Sequence, residues 1–337
     1  MFFVPARDVI VIGASSGGVE ALSTIAAGLP PDLAAAVFVV LHVGQSRESH
    51  LPTILNRVGG MPAAHAVDEE PIRRGRIYVA PPALQTYVHN GRLSVRRGPR
   101  ENLHRPSIDV LFRTAAHYYG PRVIGVVLSG ALDDGAAGLA AIKTAGGVAI
   151  VQDPRDAKMA DMPMHALDLT EPDHIVSADE IAPLLRDLVG RDARELESLP
   201  SEVPLETVEE AVTPEEALRS AELGQPAEFT CPDCGGTLYE IKGQHVRFRC
   251  RVGHAYSQDA MLEAQNIALE RALWAALRAL EERNALLMKM SDYAHRRGHE
   301  GVAALFKEKS QQVEADVKTL HDVVINGRAL DLVNDGL

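Results

Sequence analysis

Val9-Ile10-Val11-Ile12-Gly13-Ala14-Ser15-Ser16-Gly17-Gly18 is the stretch on which the fold turns. Four β-branched residues in a row, closed by glycines, read as a short strand buried on both faces. The helical pattern from Val19 to Leu29 makes the whole a strand, turn and helix. The same unit recurs along the chain. Ala36 to Leu41 leads through a polar loop to a helical stretch at Leu51 to Val58, and further apolar runs stand at Arg76 to Ala80, Leu93 to Val95, Val123 to Leu128 and Val148 to Val151. Strands alternating with helices predict an α/β domain with a doubly wound, mostly parallel sheet. Between about 62 and 100 the pattern changes, and Tyr87-Val88-His89-Asn90-Gly91-Arg92-Leu93 carries the Asn-Gly signal of a local antiparallel hairpin.

In open α/β sheets ligands bind beyond the carboxyl ends of the strands, so the residues just after the apolar runs matter most. Gly13-Ala14-Ser15-Ser16-Gly17 fits the Gly-x-Ser-x-Gly pattern, which exposes a serine hydroxyl on a tight turn beside the N–H groups of a helix start. A phosphate cradle or a plain serine cap fits the same residues. His42 ends the second run, where a neutral imidazole could take the serine proton or serve structure alone. Asp133 and Asp134 follow the run at Val123 to Leu128. Either could orient that histidine, and either could cap the helix expected from Ala136 to Ala145. The order Ser, His, Asp differs from the Ser, Asp, His order of α/β-hydrolases.

The chain has 337 residues, 46% of them hydrophobic and 24% charged, with a net charge of −12. This length suits about two folded units. Net charges of −2, −8 and −2 over residues 1–191, 192–226 and 227–337 place most of the acidity in one short segment with Pro200, Pro204, Pro214 and Pro226. That segment reads as a solvated linker, with room for a short helix from Pro214 to Leu223. No basic face marks a nucleic-acid partner. The longest apolar run, Leu33 to Leu41, falls far short of the roughly 18 residues a membrane-spanning helix needs. The N-terminus lacks a secretory pattern, so a cytoplasmic protein outside the membrane is expected.

All three cysteines lie close together, in Cys231-x2-Cys234 and Cys250-x3-His254. Two pairs of soft ligands on turns, separated by strand-like Leu238 to Ile241 and Val246 to Phe248, suit a closed tetrahedral Zn²⁺ site of structural type in a zinc-ribbon-like module over 227–258. A redox Cys-x2-Cys pair lacks a thioredoxin-like context. Beyond it, Leu269, Leu273, Leu277, Leu280 and Leu287, then Val302, Leu305, Phe306, Val313, Val317 and Leu320, form two helical stripes. They predict a helical hairpin over 259–326.

Several segments together resemble the catalytic domain of the chemotaxis protein-glutamate methylesterase (CheB) family. These are Val11 to Leu22, Val39-Val40-Leu41-His42, Ile77 to Pro82, His104 to Phe112 and Gly125 to Gly138. The resemblance covers Val9 to about Val189, a catalytic domain of 1–191. It implies Ser15 as nucleophile, His42 as general base and Asp134 as orienting carboxylate. Ser16 and Ala131 would lie on the oxyanion side, with Ala131 where the family usually has methionine. Met159, with Met162 nearby, would belong to a substrate-side loop. The implied reaction is hydrolysis of glutamate γ-methyl esters on chemoreceptor cytoplasmic helices, with glutamine deamidation as a companion and no cofactor for catalysis. Other chemosensory proteins are further expected partners. The family's familiar receiver domain has no room before Asp8, so switching by aspartyl phosphorylation in cis is not expected. The zinc-bearing tail resembles those on some methylesterase-like proteins. Two other readings stay open: a catalytically weak scaffold of a receptor array, and a serine esterase for another substrate. Arg92, Arg96, Arg97, Arg100 and Arg105 could dock an acidic receptor helix or simply form a solvated edge.

Overall fold

The computed structural model describes residues 6–42, 49–193, 224–241 and 246–325. The helix expected at Pro214 to Leu223, and most of the acidic linker, lie outside the described residues. In chain order the elements are β1 (Val9–Ala14), α1 (Gly18–Gly28), β2 (Ala36–Leu41), α2 (Leu51–Val58), β3 (Ala63–His65), β4 (Arg76–Val79), β5 (Gln85–His89) and β6 (Arg92–Arg96). Then come α3 (Ile108–Tyr119), β7 (Val123–Val127), α4 (Ala136–Thr144), β8 (Val148–Gln152), α5 (Asp161–Leu169), β9 (His174–Val176) and α6 (Ala178–Leu188). The last group is β10 (Pro226–Thr230), β11 (Thr237–Ile241), β12 (Arg247–Cys250), β13 (Ala255–Ser257), α7 (Gln258–Arg296) and α8 (Glu300–Ile325).

Seven strands form one sheet in the order β3-β4-β2-β1-β7-β8-β9. Every pairing in it is parallel. The doubly wound, mostly parallel α/β sheet expected from the sequence is what forms. Its two faces follow from the alternation of side chains along each strand. Ile10, Ile12 and Ala14 of β1 pack with Ile25 of α1, Leu55 of α2 and Leu185 of α6. Val9 and Val11 pack on the other face with Leu111 and Phe112 of α3 and Leu139 of α4. Each fully buried Val, Ile or Leu contributes about 1.5–3 kcal/mol, so a sheet covered on both faces carries most of this domain's stability.

The Asn-Gly hairpin forms as β5 and β6, antiparallel from Gln85 opposite Arg96 to His89 opposite Arg92, with Gly91 at φ 84°. The sequence reading missed β3, β9 and β13, each three residues long, as well as β10 and the helices α3, α5 and α6. For α6 a local signal existed: Ser177 and Glu180 form a capping box around its start.

A second, four-stranded antiparallel sheet runs β10-β11-β12-β13. Chain contacts divide the protein into two compact units, Met1–Met261 and Leu262–Leu337, so this sheet belongs to the same unit as the α/β domain. In the second unit Leu277, Ala294, Ala303 and Val313 are buried, while Leu269, Val302 and Leu305 are exposed. The helical stripes are thus narrower than the sequence suggests, and they include polar links. Ser291 Oγ donates to the Ala303 carbonyl at 2.8 Å, and Ser310 bonds Asn284.

Gly13 lies where the start of α3 presses on β1, and a Cβ there would come 2.3 Å from Ile108 Cγ2. Gly13→Ala should therefore lower stability by about 1–3 kcal/mol through overpacking. Urea unfolding checks this as a lower midpoint at unchanged slope.

Candidate active site

The chain builds outward from β1 in both directions, through β2 and β4 on one side and β7 and β8 on the other. A reversal of this kind opens a crevice at the carboxyl ends of the central strands. Ser15 follows β1, His42 follows β2, and Asp134 lies in the loop after β7. Backbone bonds hold these segments level. The His42 N–H donates to the Ala14 carbonyl at 3.0 Å, and the Ser15 N–H to the Ser129 carbonyl at 2.9 Å.

Asp134 is buried, and its carboxylate accepts five hydrogen bonds. Oδ2 takes His42 Nε2 at 2.8 Å and the Ile108 N–H at 2.7 Å. Oδ1 takes Ser107 Oγ at 2.9 Å, Asn102 Nδ2 at 3.1 Å and the Asp109 N–H at 3.2 Å. The carboxylate therefore caps α3, not the adjacent α4. Asp109 returns the arrangement: its Oδ1 accepts the Gly138 N–H at 2.6 Å and the Gly135 N–H at 3.1 Å, at the start of α4. Two helices thus exchange N-terminal caps through buried aspartates, each placed where a helix N-terminus favours negative charge.

Burial works to raise the Asp134 carboxyl, but the hydrogen bond and charge of His42 outweigh it and hold the group below the usual carboxylate range. Asp109 is pushed the other way, up to about 7, by burial and then by the neighbouring Asp134 charge. Glu101, also buried, receives Arg113 at 2.7 Å on both oxygens and pairs with Arg247 of β12. Burial raises its carboxyl, and the two arginines together bring it below its ordinary value.

His42 spends Nε2 on Asp134, which leaves Nδ1 as the nitrogen available for chemistry. That atom is buried and has no hydrogen-bond partner among the described residues. The His104 ring stacks on His42, with centroids 3.5 Å apart and planes 9° apart. Burial, followed by the nearby His42, pushes His104 down to about 4. It is therefore an uncharged platform at neutral pH.

On the other side of Ser15, Ser129 Oγ donates to the Ser16 carbonyl at 2.7 Å and accepts the Met159 N–H at 2.9 Å. The Gly130 N–H donates to the Met159 carbonyl at 3.1 Å. The N–H groups of Ser16 and Ala131 are engaged by no hydrogen bond among the described residues. Met159 is 40% exposed, whereas Met162 is fully buried. A Cβ on Gly130 would meet Met162 Sδ at 2.0 Å and Ser15 Cβ at 2.7 Å, so Met162 packs beneath the turn and is no surface contact.

Some 20 residues apart in sequence, the Cys231–Cys234 and Cys250–His254 pairs converge. Cys231, Cys234, Cys250 and His254 bring their ligand atoms within 4.8 Å of one another and could hold a metal ion. Cys231 Sγ and Cys250 Sγ each lie 3.6 Å from His254 Nδ1, and Cys234 Sγ lies 3.7 Å from Cys250 Sγ. Ligands at zinc-to-sulfur distances of about 2.3 Å would stand about 3.8 Å apart on a tetrahedron, which matches. Burial, and then Cys231, push the Cys250 thiol up to about 12. A bound cation would reverse that penalty.

Residues 10–185, more than half of the chain, match the family model described as CheB methylesterase. The chain belongs to the CheB methylesterase family. A Leptospira interrogans relative, provisionally named protein-glutamate methylesterase/protein-glutamine glutaminase, is 40% identical over 178 residues, covering 52% of this chain and 92% of the relative. Protein-glutamate methylesterase/protein-glutamine glutaminase 2 of Anaeromyxobacter dehalogenans is 37% identical over 188 residues, 55% of each chain. The crystal structure of the Thermotoga maritima CheB methylesterase catalytic domain superposes with a TM-score of 0.52 at 28% identity, over 55% of this chain and all of that one.

Within this CheB-family domain the sequence reading missed Asn102, Gln152 and Asp109 as members of the site. Gln152 Oε1 accepts the Ser129 N–H at 2.8 Å and so fixes the loop after β7. Only a strand ending in a buried polar residue hinted at it. Four of the five arginines offered for docking are engaged within the fold: Arg92 on the Glu69 carbonyl at 2.8 Å, Arg105 on the Gly98 carbonyl at 2.7 Å, Arg96 over the Tyr87 ring, and Arg100 3.8 Å from Asp233, while Arg97 is exposed.

His104 makes a pH prediction. Its folded form binds a proton more weakly than the unfolded chain, so its contribution is complete above pH 6.5 and is lost as pH falls from 6.5 through about 4. Between pH 7 and 4 the wild type should lose about 1–3 kcal/mol more stability than His104→Gln. Urea titrations at both pH values measure the difference.

Proposed function

We propose that this chain is a serine protein-glutamate methylesterase, with Ser15 as nucleophile, His42 as general base and Asp134 as orienting carboxylate. The observation that carries the reading is the 2.8 Å bond from His42 Nε2 to Asp134 Oδ2 at the sheet's switch point, one strand from Ser15. Because Nε2 carries the proton toward Asp134, Nδ1 keeps its lone pair and serves as the base. Ser15 Oγ attacks the ester carbonyl carbon while its proton passes to Nδ1. The tetrahedral oxyanion is stabilised by N–H donors, for which the uncommitted groups of Ser16 and Ala131 are the candidates. Collapse expels methoxide, which leaves as methanol with the proton from Nδ1. Water then repeats the sequence on the Ser15 ester, releasing the glutamate carboxylate and restoring the serine. Attack on a glutamine amide runs the same way and releases ammonia, in keeping with the glutaminase in the relatives' names.

The substrate is a methylated cytoplasmic helix of a chemoreceptor, and other chemosensory proteins are partners. No helix among the described residues is long and apolar enough to cross a membrane, in keeping with action in the cytoplasm. Residues 1–191 serve as the esterase, 192–226 as a linker, 227–258 as a zinc ribbon and 259–326 as a helical hairpin. The metal is zinc in a structural role, since three cysteines and a histidine fill all four positions of a tetrahedron.

Methanol release from methylated receptor tests the esterase. Ser15→Ala should lower kcat by about a thousandfold or more, and equal rates would remove Ser15 as nucleophile. For the metal, purified protein should carry one zinc per chain and Cys231→Ser should lose it. An unchanged stoichiometry would remove the site.

A further inference from the structure

The ribbon reaches the proposed triad directly. β13, which begins next to His254, runs parallel to Glu101. The Asn102 N–H donates to the Ala255 carbonyl at 2.9 Å, and the Ser257 N–H donates to Asn102 Oδ1 at 3.0 Å. Ser257 Oγ donates to Asp133 Oδ1 at 2.8 Å. Strand β12, which ends in Cys250, supplies Arg247 to Glu101.

Asn102 is the hinge of these contacts. It is buried, and its Nδ2 donates to Asp134 Oδ1 at 3.1 Å and to Asp109 Oδ2 at 3.0 Å. An amide can face two carboxylates only with its nitrogen, and the Ser257 N–H holds its oxygen the opposite way. The ribbon thus selects the amide orientation that lets Asn102 steady Asp134. It also supplies one of the two arginines paired with the buried carboxylates of Glu101 and Asp109, both of which feel the neighbouring Asp134 charge. Uncompensated buried charge of this kind is costly enough to rearrange a site. A metal bound by Cys250 and His254 would tie the end of β12 to the start of β13, the two strands that make these contacts.

We infer that the metal-binding ribbon is a working part of the esterase site, and that Asn102 is the positioning residue through which it holds Asp134 against His42. The inference rests on the esterase reading for its kinetic consequence but not for its structural one. Both are tested on the full chain, with metal content measured alongside. Asn102→Gly removes the amide yet suits the left-handed backbone at φ 47°. Arg247→Met removes the charge and leaves every metal ligand in place. Each should lower kcat for methanol release about tenfold with KM within about twofold. Stripping the metal with a chelator should do the same, and added Zn²⁺ should restore the rate. The second readout is the downfield NMR signal of the His42 Nε2–H bonded to Asp134, identified by its loss in Asp134→Asn. It should broaden or vanish in Asn102→Gly and after chelation, and it reports on the triad even if no methyl ester is cleaved. Signal and kcat both surviving chelation and Asn102→Gly would overturn the inference. So would a rise in kcat on metal removal, which would make the ribbon a restraint. Loss of the signal in a protein that releases no methanol would support the positioning while sinking the esterase reading.

Discussion

The carboxylate of Asp134 can stay ionised in the interior only because five donors converge on it, and those donors come from three different stretches of chain. A buried charge without such company would cost several kcal/mol or take up a proton. Here the first turn of α3, Ser107, Asn102 and His42 all have to be in place together. Asp109 applies the same constraint from the opposite side by capping α4. The two aspartates lock the helices that cover one face of the sheet, and the lock is the place where chemistry is proposed.

Close backbone approach sets the rest of the site. Gly13 lets Ile108 press against β1, Gly130 leaves room for Met162 and Ser15, and Gly17 at φ 78° turns the chain into α1 beneath Ser129. The serine turn, the loop after β7 and the loop carrying Met159 are therefore stitched by short contacts that tolerate little movement. This suits a reaction in which electrostatic preorganisation does most of the work. The stacked His104, uncharged at neutral pH, adds a flat wall that restrains the His42 ring.

Much of the fold was legible in the sequence because strands buried on both faces advertise themselves locally: Val9 to Ile12, Ala36 to Leu41 and Val123 to Leu128 needed no context to be read. Short edge strands such as β3 and β9 are half-exposed at several positions and carry no such run. Among the helices, α5 opens after Ala160 without a side-chain cap, so only Asp161 and Pro163 in its first turn marked its start. The helical stripes of the second unit were overdrawn because Val302 and Leu305 share the composition of the buried residues without sharing their face.

By itself, the sequence determined the alternation of the long buried strands with helices, the serine turn after β1, the histidine after β2 and the metal-ligand spacing of Cys231, Cys234, Cys250 and His254. All of these depend on residue type within a few positions, which is the range over which local backbone preference acts. The tertiary structure alone decided that Asp134 caps α3 while Asp133 faces Ser257, that Asp109 answers from the other helix, and that Asn102 joins the ribbon to both carboxylates. Those assignments depend on which distant donors a buried charge can gather, and only the packed chain brings them within reach.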